Sequence, residues 1–284
     1  MIVKIKSFYE LARLDKPIGI YLLLWPSLLG LLLGGIEAGS VNFKNYLIVI
    51  IGSILVRSCG CVINDISDYK FDKLVKRTAA RPLATGALNI KEAWVFFFIL
   101  GLMSLCLLSF TNPLTIKIAL FFALLIMFYP MTKRFIKAPQ FILGITFGSG
   151  TLISYSLESN AFSPSILVLY FGVIAWVISF DTFYALEDID DDKKIGIYST
   201  PILWGKNTIF IARILQYFFY ISLAIIGYIN NFSIFFTLVI IALLFLDYVQ
   251  MKYVKNKGFL EVFKFNNWIG IVAILGFLIE IFII

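Results

Sequence analysis

Two short acidic segments carry the side chains best suited to chemistry in this sequence. In the first, amide and carboxylate side chains recur every four residues, at Asn64, Asp68 and Asp72. In the second, three aspartates are separated by seven and then four residues, at Asp181, Asp188 and Asp192. Successive side chains at these spacings lie within about 40° of one another around a helix. Each segment therefore predicts a stripe of oxygen ligands on one helix face.

Oxygen ligands without nitrogen or sulfur favour a hard cation, above all Mg²⁺. The sequence contains no histidine, which excludes His-based triads and the usual His ligands of zinc. Cys59 and Cys61 lie in an apolar run without a second pair, so a zinc or iron–sulfur site is not favoured. The two stripes therefore supply the candidate Mg²⁺ ligands.

Basic residues near the two stripes favour an anionic substrate. Mg²⁺ typically bridges protein carboxylates to phosphate oxygens, and arginine suits bidentate phosphate contacts. Arg57 stands within an apolar run, seven residues before Asn64 and on the same helix face, where an arginine is costly unless it faces a cavity or a partner. The candidate phosphate-binding residues are Arg57, Lys76, Arg77, Lys133 and Lys193. Taken singly, each stripe is also compatible with a solvated loop, and each cation with a charge that sets topology.

The elements that position these residues are predicted to be membrane helices. Of the 284 residues, 61% are hydrophobic and 14% are charged, against about 45–50% and about a quarter in soluble domains. The pattern predicts an all-α, polytopic bundle forming a single domain over residues 1–284. About nine stretches are long enough to span a bilayer core of about 30 Å: 18–37, 46–63, 93–111, 115–130, 139–157, 164–183, 208–228, 232–250 and 266–284.

The loops between these stretches predict the topology. Lysine and arginine are concentrated before the first span and in alternate loops, which places the N-terminus and both acidic segments in the cytoplasm. The net charge of +7 is accounted for in this way, so we expect no nucleic-acid partner. The first 17 residues are too polar and too short for a cleaved signal, and no targeting peptide is evident. Glycine pairs four residues apart predict close helix packing, at Gly30/Gly34 and Gly144/Gly148.

Four segments, in order along nearly the whole chain, resemble the UbiA-type membrane prenyltransferases. They are residues 13–26, residues 57–82, residues 129–134 and residues 181–205. Within that family the chain is most similar to the 4-hydroxybenzoate polyprenyltransferases of ubiquinone synthesis. The resemblance implies Mg²⁺-dependent transfer of a polyprenyl group from polyprenyl diphosphate to 4-hydroxybenzoate within a lipid bilayer. It also implies that Asn64, Asp68, Asp72, Asp188 and Asp192 hold Mg²⁺ and that the four aspartates among them are the catalytic candidates. We expect the bilayer to be a bacterial inner membrane, with the active site facing the cytoplasm.

An acceptor with a carboxylate needs a cation to receive it. Arg134 is the first candidate and Arg13 the second. The aromatic side chains expected nearby, Tyr129 and Tyr184, can stabilise a cation through their ring faces, although plain packing is the more ordinary role for each.

Two alternatives remain open on the sequence. The enzyme could use another acceptor, such as haem, a naphthoate, homogentisate or a chlorophyll precursor. In a different class, intramembrane carboxylates also suit a secondary transporter. The acidic residues, however, lie at span ends rather than near the midplane, where a transporter would place them.

Overall fold

The computed structural model describes residues 2–40, 42–75, 77–132 and 135–283, and over those residues the chain is helical without strands. The helices are α1 (Ile2–Leu11), α2 (Ile18–Ala38), α3 (Phe43–Asp72), α4 (Pro82–Thr85), α5 (Ile90–Leu108), α6 (Pro113–Thr132), α7 (Pro139–Tyr155), α8 (Pro164–Glu187), α9 (Ile189–Ile195), α10 (Thr200–Trp204), α11 (Thr208–Ile229), α12 (Ile234–Asn256) and α13 (Phe259–Ile283). The predicted all-α membrane architecture is confirmed.

Local sequence signals set where several of these helices begin and end. Asn89 and Glu92 form a reciprocal capping box at the start of α5, which satisfies two backbone donors that have no partner inside the helix. Prolines occupy the first positions of α7 and α8, where their missing N–H costs nothing. Gly39 ends α2 in the left-handed conformation at φ 65°, which glycine adopts without strain.

Seven helices in the described part of the chain are long and apolar enough to cross a membrane. They include α2, α3, α5, α8, α12 and α13, together with the stretch 200–229 that contains α11. The other two predicted spans also fall on helices, but the apolar part of α6 and the 17 residues of α7 are shorter. The chain is therefore an integral membrane protein, and the count of nine spans stays a prediction.

Glycine residues bring α2, α7 and α8 into close contact at the centre of the bundle. A Cβ on Gly30 would stand 2.1 Å from the backbone oxygen of Thr151 on α7, and one on Gly144 would stand 2.9 Å from Ile178 on α8. Gly34 and Gly148 are similarly crowded by the neighbouring helix. The predicted role of both glycine pairs in helix packing is confirmed.

Buried polar contacts tie α8, α11, α12 and α13 together. The amide of Gln216 on α11 donates to Gln250 on α12 at 2.8 Å, and Gln250 donates to the backbone oxygen of Val262 on α13 at 3.0 Å. Trp176 on α8 donates to Asn266 on α13 at 2.8 Å. All these donors have a partner, which a low-dielectric interior requires. This network fixes the hairpin of α12 and α13 against α8.

One large cavity, with a volume of about 1310 Å³, runs along α3 from Asp72 to Ile48. Its polar end, where α3 ends and α7 begins, holds the acidic residues. Helices α5 and α6 both pack on α3, and over the described residues neither packs closely on the other. The cavity wall between them includes apolar side chains that are largely exposed, such as Phe98, Leu102 and Leu120. The cavity therefore opens sideways, through a cleft between α5 and α6.

Candidate active site

The first acidic stripe lies on one continuous helix, α3, and lines the cavity. Asn64, Asp68 and Asp72 all contribute to its wall, as does Arg57 further along the same helix. The predicted arrangement of these four side chains on one helix face is therefore confirmed. Asp72 stands at the last helical position, so this stripe ends at the polar end of the bundle.

The second acidic stripe is not continuous, in contrast to the prediction. Helix α8 ends at Glu187, and α9 begins at Ile189. Asp188 stands between them with non-helical backbone angles, and three further aspartates fill the first turn of α9. Carboxylates are favoured there because the N-terminal end of a helix carries partial positive charge. Asp181, Asp188 and Asp192 nevertheless all line the same cavity as the first stripe.

Arg77 joins the two acidic segments. Its Nε donates to both carboxylate oxygens of Asp188, at 2.9 and 3.1 Å, and its Nη1 donates to the hydroxyl of Tyr184 at 2.5 Å. The guanidinium also lies over the Tyr184 ring, 4.7 Å from its centroid. Burial acts to lower the pKa of Arg77, but the hydrogen bonds to Asp188 outweigh it and the pKa is raised. Arg77 therefore remains a cation in the cavity.

Arg81 and Arg13 converge on a carboxylate that sequence reasoning missed. Asp65 is 1% exposed and accepts hydrogen bonds from Arg13 at 2.8 Å and from Arg81 at 3.0 Å. Arg81 also donates to Asp72 at 3.0 and 2.9 Å. Burial lowers the pKa of Arg13, but Asp65 outweighs this effect and the pKa is raised. Asp65 precedes Asp72 by seven residues and therefore lies only about 20° from it around α3, and this spacing is the signal that could have found it.

Comparison with known proteins agrees with this geometry. The sequence profile described as "UbiA prenyltransferase family" matches residues 23–270. The chain belongs to the UbiA prenyltransferase family.

Relatives and solved structures extend the match to nearly the whole chain. A protein from Saccharophagus degradans named "4-hydroxybenzoate octaprenyltransferase" is 39% identical over 96% of this chain and 92% of its own length. A protein of the same name from Vesicomyosocius okutanii is 39% identical over 95% of this chain and 99% of its own length. A UbiA homolog from Aeropyrum pernix has a TM-score of 0.80 at 22% identity, covering 92% of this chain and 97% of its own. A UbiA homolog from Archaeoglobus fulgidus, bound to GPP and Mg²⁺, has a TM-score of 0.75 at 18% identity, covering 97% of this chain and 99% of its own. The solved structures show the shared fold.

Membership in the UbiA prenyltransferase family decides between the enzyme and the transporter alternatives. The chain is a membrane prenyltransferase, and its cavity is the candidate active site. The choice of aromatic acceptor among the alternatives is a separate question.

The donor set of this UbiA-family site fits Mg²⁺. Five side chains with oxygen donors line one cavity: Asn64, Asp68, Asp72, Asp188 and Asp192. The Oδ1 atom of Asn64 is buried and has no hydrogen-bond partner among the described residues, so it is available as a ligand. In the described part of the chain no three acidic side chains are close enough to hold a metal ion as they stand. Asp72 and Asp188 engage Arg81 and Arg77 instead.

Arg57 lies deeper in the cavity than Asp68 and Asp72, the acidic residues of the α3 stripe. It precedes Asn64 by seven residues on α3, which corresponds to about 10 Å along the helix. Its guanidinium lies 5.2 Å from the centroid of the Phe147 ring and against Gly19, where a Cβ would stand 2.7 Å from Nε. The Nε atom is buried without a hydrogen-bond partner in the described residues, and no carboxylate there pairs with Arg57. The Arg57 guanidinium is therefore available to bind an anion.

The other predicted site residues are distributed as follows. Tyr129 and Tyr184 line the cavity, whereas Lys193 is exposed on α9 and does not. Arg13 lines the cavity, but Asp65 engages its guanidinium. The three remaining predicted cations, Lys76, Lys133 and Arg134, lie outside the described residues. Two cations that the sequence did not single out, Lys16 and Lys264, line the cavity as well.

Proposed function

We propose that this prenyltransferase moves a polyprenyl group from polyprenyl diphosphate to a ring carbon of 4-hydroxybenzoate, releasing diphosphate, as a step of ubiquinone synthesis. The observation that carries the proposal is the cavity that joins two acidic segments at its polar end to an apolar cleft between α5 and α6. The names of the relatives support the acceptor. The solved relative with GPP and Mg²⁺ supports a prenyl diphosphate donor and a divalent metal.

The polar end would receive the diphosphate. Mg²⁺ held by the acidic residues of α3 and of the α8–α9 junction would neutralise the diphosphate charge and act as a Lewis acid. Asn64, Asp68 and Asp72 would hold it on one side, and Asp188 and Asp192 on the other. Arg77 stands beside Asp188 and would bind the phosphate oxygens directly. Lys76, Lys133 and Lys193 remain proposed contacts of the diphosphate.

The bond changes follow from this placement. The bond between C1 of the prenyl group and the diphosphate oxygen breaks, and its electron pair leaves with the diphosphate. The aromatic faces of Tyr129 and Tyr184 would stabilise the resulting allylic cation. The ring carbon next to the hydroxyl of the acceptor attacks C1, and the ring then loses a proton to restore aromaticity.

Arg57 fits the acceptor carboxylate better than the diphosphate. It lies about 10 Å along α3 from Asn64, beyond the reach of a diphosphate held at Asp68 and Asp72. A para-substituted ring whose hydroxyl faces the polar end directs its carboxylate toward this depth. The buried arginine would neutralise that carboxylate, which is otherwise costly to desolvate. Arg134 and Arg13 remain proposed as further contacts of the acceptor.

The topology is part of the same proposal. The N-terminus and the polar end would face the cytoplasm of a bacterium, with nine spans in one domain of the inner membrane. Basic residues concentrated at the polar end support this orientation. Reporter fusions to the N-terminus and to the loop 109–112 test it, because the first should report cytoplasmic and the second external exposure.

An activity measurement tests the proposed reaction. Membranes containing the protein should form prenylated 4-hydroxybenzoate and release diphosphate when given Mg²⁺, octaprenyl diphosphate and 4-hydroxybenzoate. Chelation of divalent metal should remove the product, which mass spectrometry identifies. A naphthoate and homogentisate supplied in parallel serve as competing acceptors. Product from one of these acids alone would assign a different acceptor, and no metal-dependent product with any acid would contradict prenyl transfer.

A further inference from the structure

Gln140, in the first turn of α7, has an amide whose orientation is fixed. Its Oε1 accepts the backbone N–H of Thr200 at 3.0 Å. The Nε2 amino group therefore points away from that contact, and the residue lines the cavity with only 5% of its surface exposed. None of the described residues accepts a hydrogen bond from Nε2, which leaves two donor hydrogens for a ligand.

Ser199 stands beside this amide and also lacks a partner. It is the neighbour of Thr200 in sequence, it is 3% exposed and it lines the same cavity. Its Oγ is buried and, within the described residues, has no hydrogen-bond partner. Thr200 is itself held by the hydroxyl of Thr182 on α8, at 2.7 Å. A buried hydroxyl without a partner costs free energy, and a ligand in the cavity would recover it.

Helix α7 shows how far Gln140 and Ser199 lie from Arg57 along the cavity. Phe147 packs under Arg57, and Gln140 precedes Phe147 by seven residues on the same helix face. Gln140 therefore lies about 10 Å nearer the polar end than Arg57 does. Asn64, which follows Arg57 by seven residues on α3, stands at the corresponding depth. A para-substituted ring with a polar group at each end fits between Arg57 and the pair formed by Gln140 and Ser199.

We propose that Gln140 and Ser199 bind the ring hydroxyl of the aromatic acceptor and so orient the ring for attack. Nε2 of Gln140 donates a hydrogen bond to the hydroxyl oxygen, and Oγ of Ser199 accepts a hydrogen bond from the hydroxyl group. Both are positioning residues that determine which para substituent the site accepts. This inference rests on the proposed function, because it takes the acceptor to be a hydroxybenzoate.

The variant Gln140→Glu tests the pair with two acceptors, 4-hydroxybenzoate and 4-aminobenzoate. The glutamate keeps an oxygen for the Thr200 N–H but replaces the amino donor with an acceptor. An aromatic amine offers two donor hydrogens, so it gains a partner in the variant that it lacks in the wild type. We expect the ratio of kcat/KM for the amine to that for the phenol to rise about tenfold, the equivalent of one hydrogen bond. A merely structural defect would leave this ratio unchanged.

The variant Ser199→Ala tests the second member. It should raise the KM for 4-hydroxybenzoate about tenfold and leave the KM for the prenyl diphosphate unchanged. Thr151→Val is the matched control, because the Thr151 hydroxyl is also buried without a partner but does not line the cavity. It should change neither KM.

The outcomes separate this inference from the proposed function. If the wild type prenylates neither acid, the proposed function fails. If the wild type is active but Gln140→Glu lowers kcat/KM equally for both acceptors, the pair either faces the carboxylate that the two acceptors share or has only a structural role. The inference is then overturned. An unchanged acceptor KM in Ser199→Ala overturns the role of that residue.

Discussion

Asp72 and Asp188 each accept hydrogen bonds from an arginine in the segment that follows the first acidic stripe. The partners are Arg81 and Arg77, respectively. A guanidinium binds carboxylate and phosphate in the same bidentate manner. We therefore expect Arg77 to transfer from the carboxylate to a phosphate when substrate and metal bind. The exchange would release Asp188 as a metal ligand at the moment when it is needed.

The aspartates that line the cavity can be separated by mutation from those that do not. Asp68→Ala and Asp188→Ala should each lower kcat at least about 100-fold, because each would remove a proposed ligand of the metal that offsets the diphosphate charge. Diphosphate release in membranes measures this effect. Asp191→Asn is the matched control, since Asp191 lies on α9 outside the cavity and pairs with Lys194. Near-normal turnover in either alanine variant would contradict the predicted metal site.

The sequence predicted those parts of the site that depend on spacing within one helix. The stripe of Asn64, Asp68 and Asp72 follows directly from four-residue intervals on α3. The contacts of Asp65 with two arginines depend on tertiary packing, which spacing does not report. Gln140 and Ser199 are isolated polar residues in the sequence, and only the cavity gives them significance.

Glycine at the centre of the bundle sets the distance between helices. Where α2 crosses α7, the backbone oxygen of Thr151 occupies the space that a Cβ of Gly30 would need. The two helices can approach this closely only with glycine at that position.

A pair of glycine substitutions tests this packing. Gly30→Ala should destabilise the protein by about 1–3 kcal/mol, because the helices must move apart. Gly60→Ala is the matched control, since a Cβ there meets nothing within 4 Å. The control should be neutral or stabilising by up to about 1 kcal/mol, because alanine has a higher helix propensity than glycine. Thermal unfolding in detergent measures both, and equal stability of the two variants would contradict the packing argument.

The helices themselves were largely predictable, but their ends were not. Each stretch that hydropathy selected falls on a helix in the described residues, whereas α3 continues to Asp72, nine residues beyond the predicted span 46–63. A membrane span ends where the lipid ends, and a helix can continue into water beyond it. The break at Asp188 was also missed, because three aspartates can either continue a helix or start a new one. Here a new helix, α9, begins after Asp188, and the Asp188 side chain pairs with Arg77.

At the scale of the whole molecule, the cleft between α5 and α6 connects the cavity to the membrane. Gly101 on α5 lines the cavity, and a Cβ there would meet nothing within 4 Å. The position is therefore open space along the path that a long prenyl tail would take. The polar end, by contrast, would receive the diphosphate and the hydroxyl end of the acceptor ring.

A larger side chain at Gly101 should select against long tails. Gly101→Leu should lower kcat/KM for octaprenyl diphosphate about tenfold or more, the equivalent of losing the burial of one or two methylene groups. It should leave the value for geranyl diphosphate nearly unchanged, because that tail is too short to reach the obstruction. Met103→Phe is the control, since Met103 lies on α5 but does not line the cavity. Equal losses for both donors would contradict this tail path.

The sideways opening also determines how the enzyme meets its substrate. A lipid-soluble donor that enters between α5 and α6 arrives by diffusion in two dimensions, within the plane of the bilayer. The quantity that sets occupancy is then the number of donor molecules per lipid, not per volume of water. Adding empty lipid to a reconstituted preparation would slow the reaction at constant bulk concentration of donor. The product, which keeps its tail, would leave by the same route and stay dissolved in the membrane.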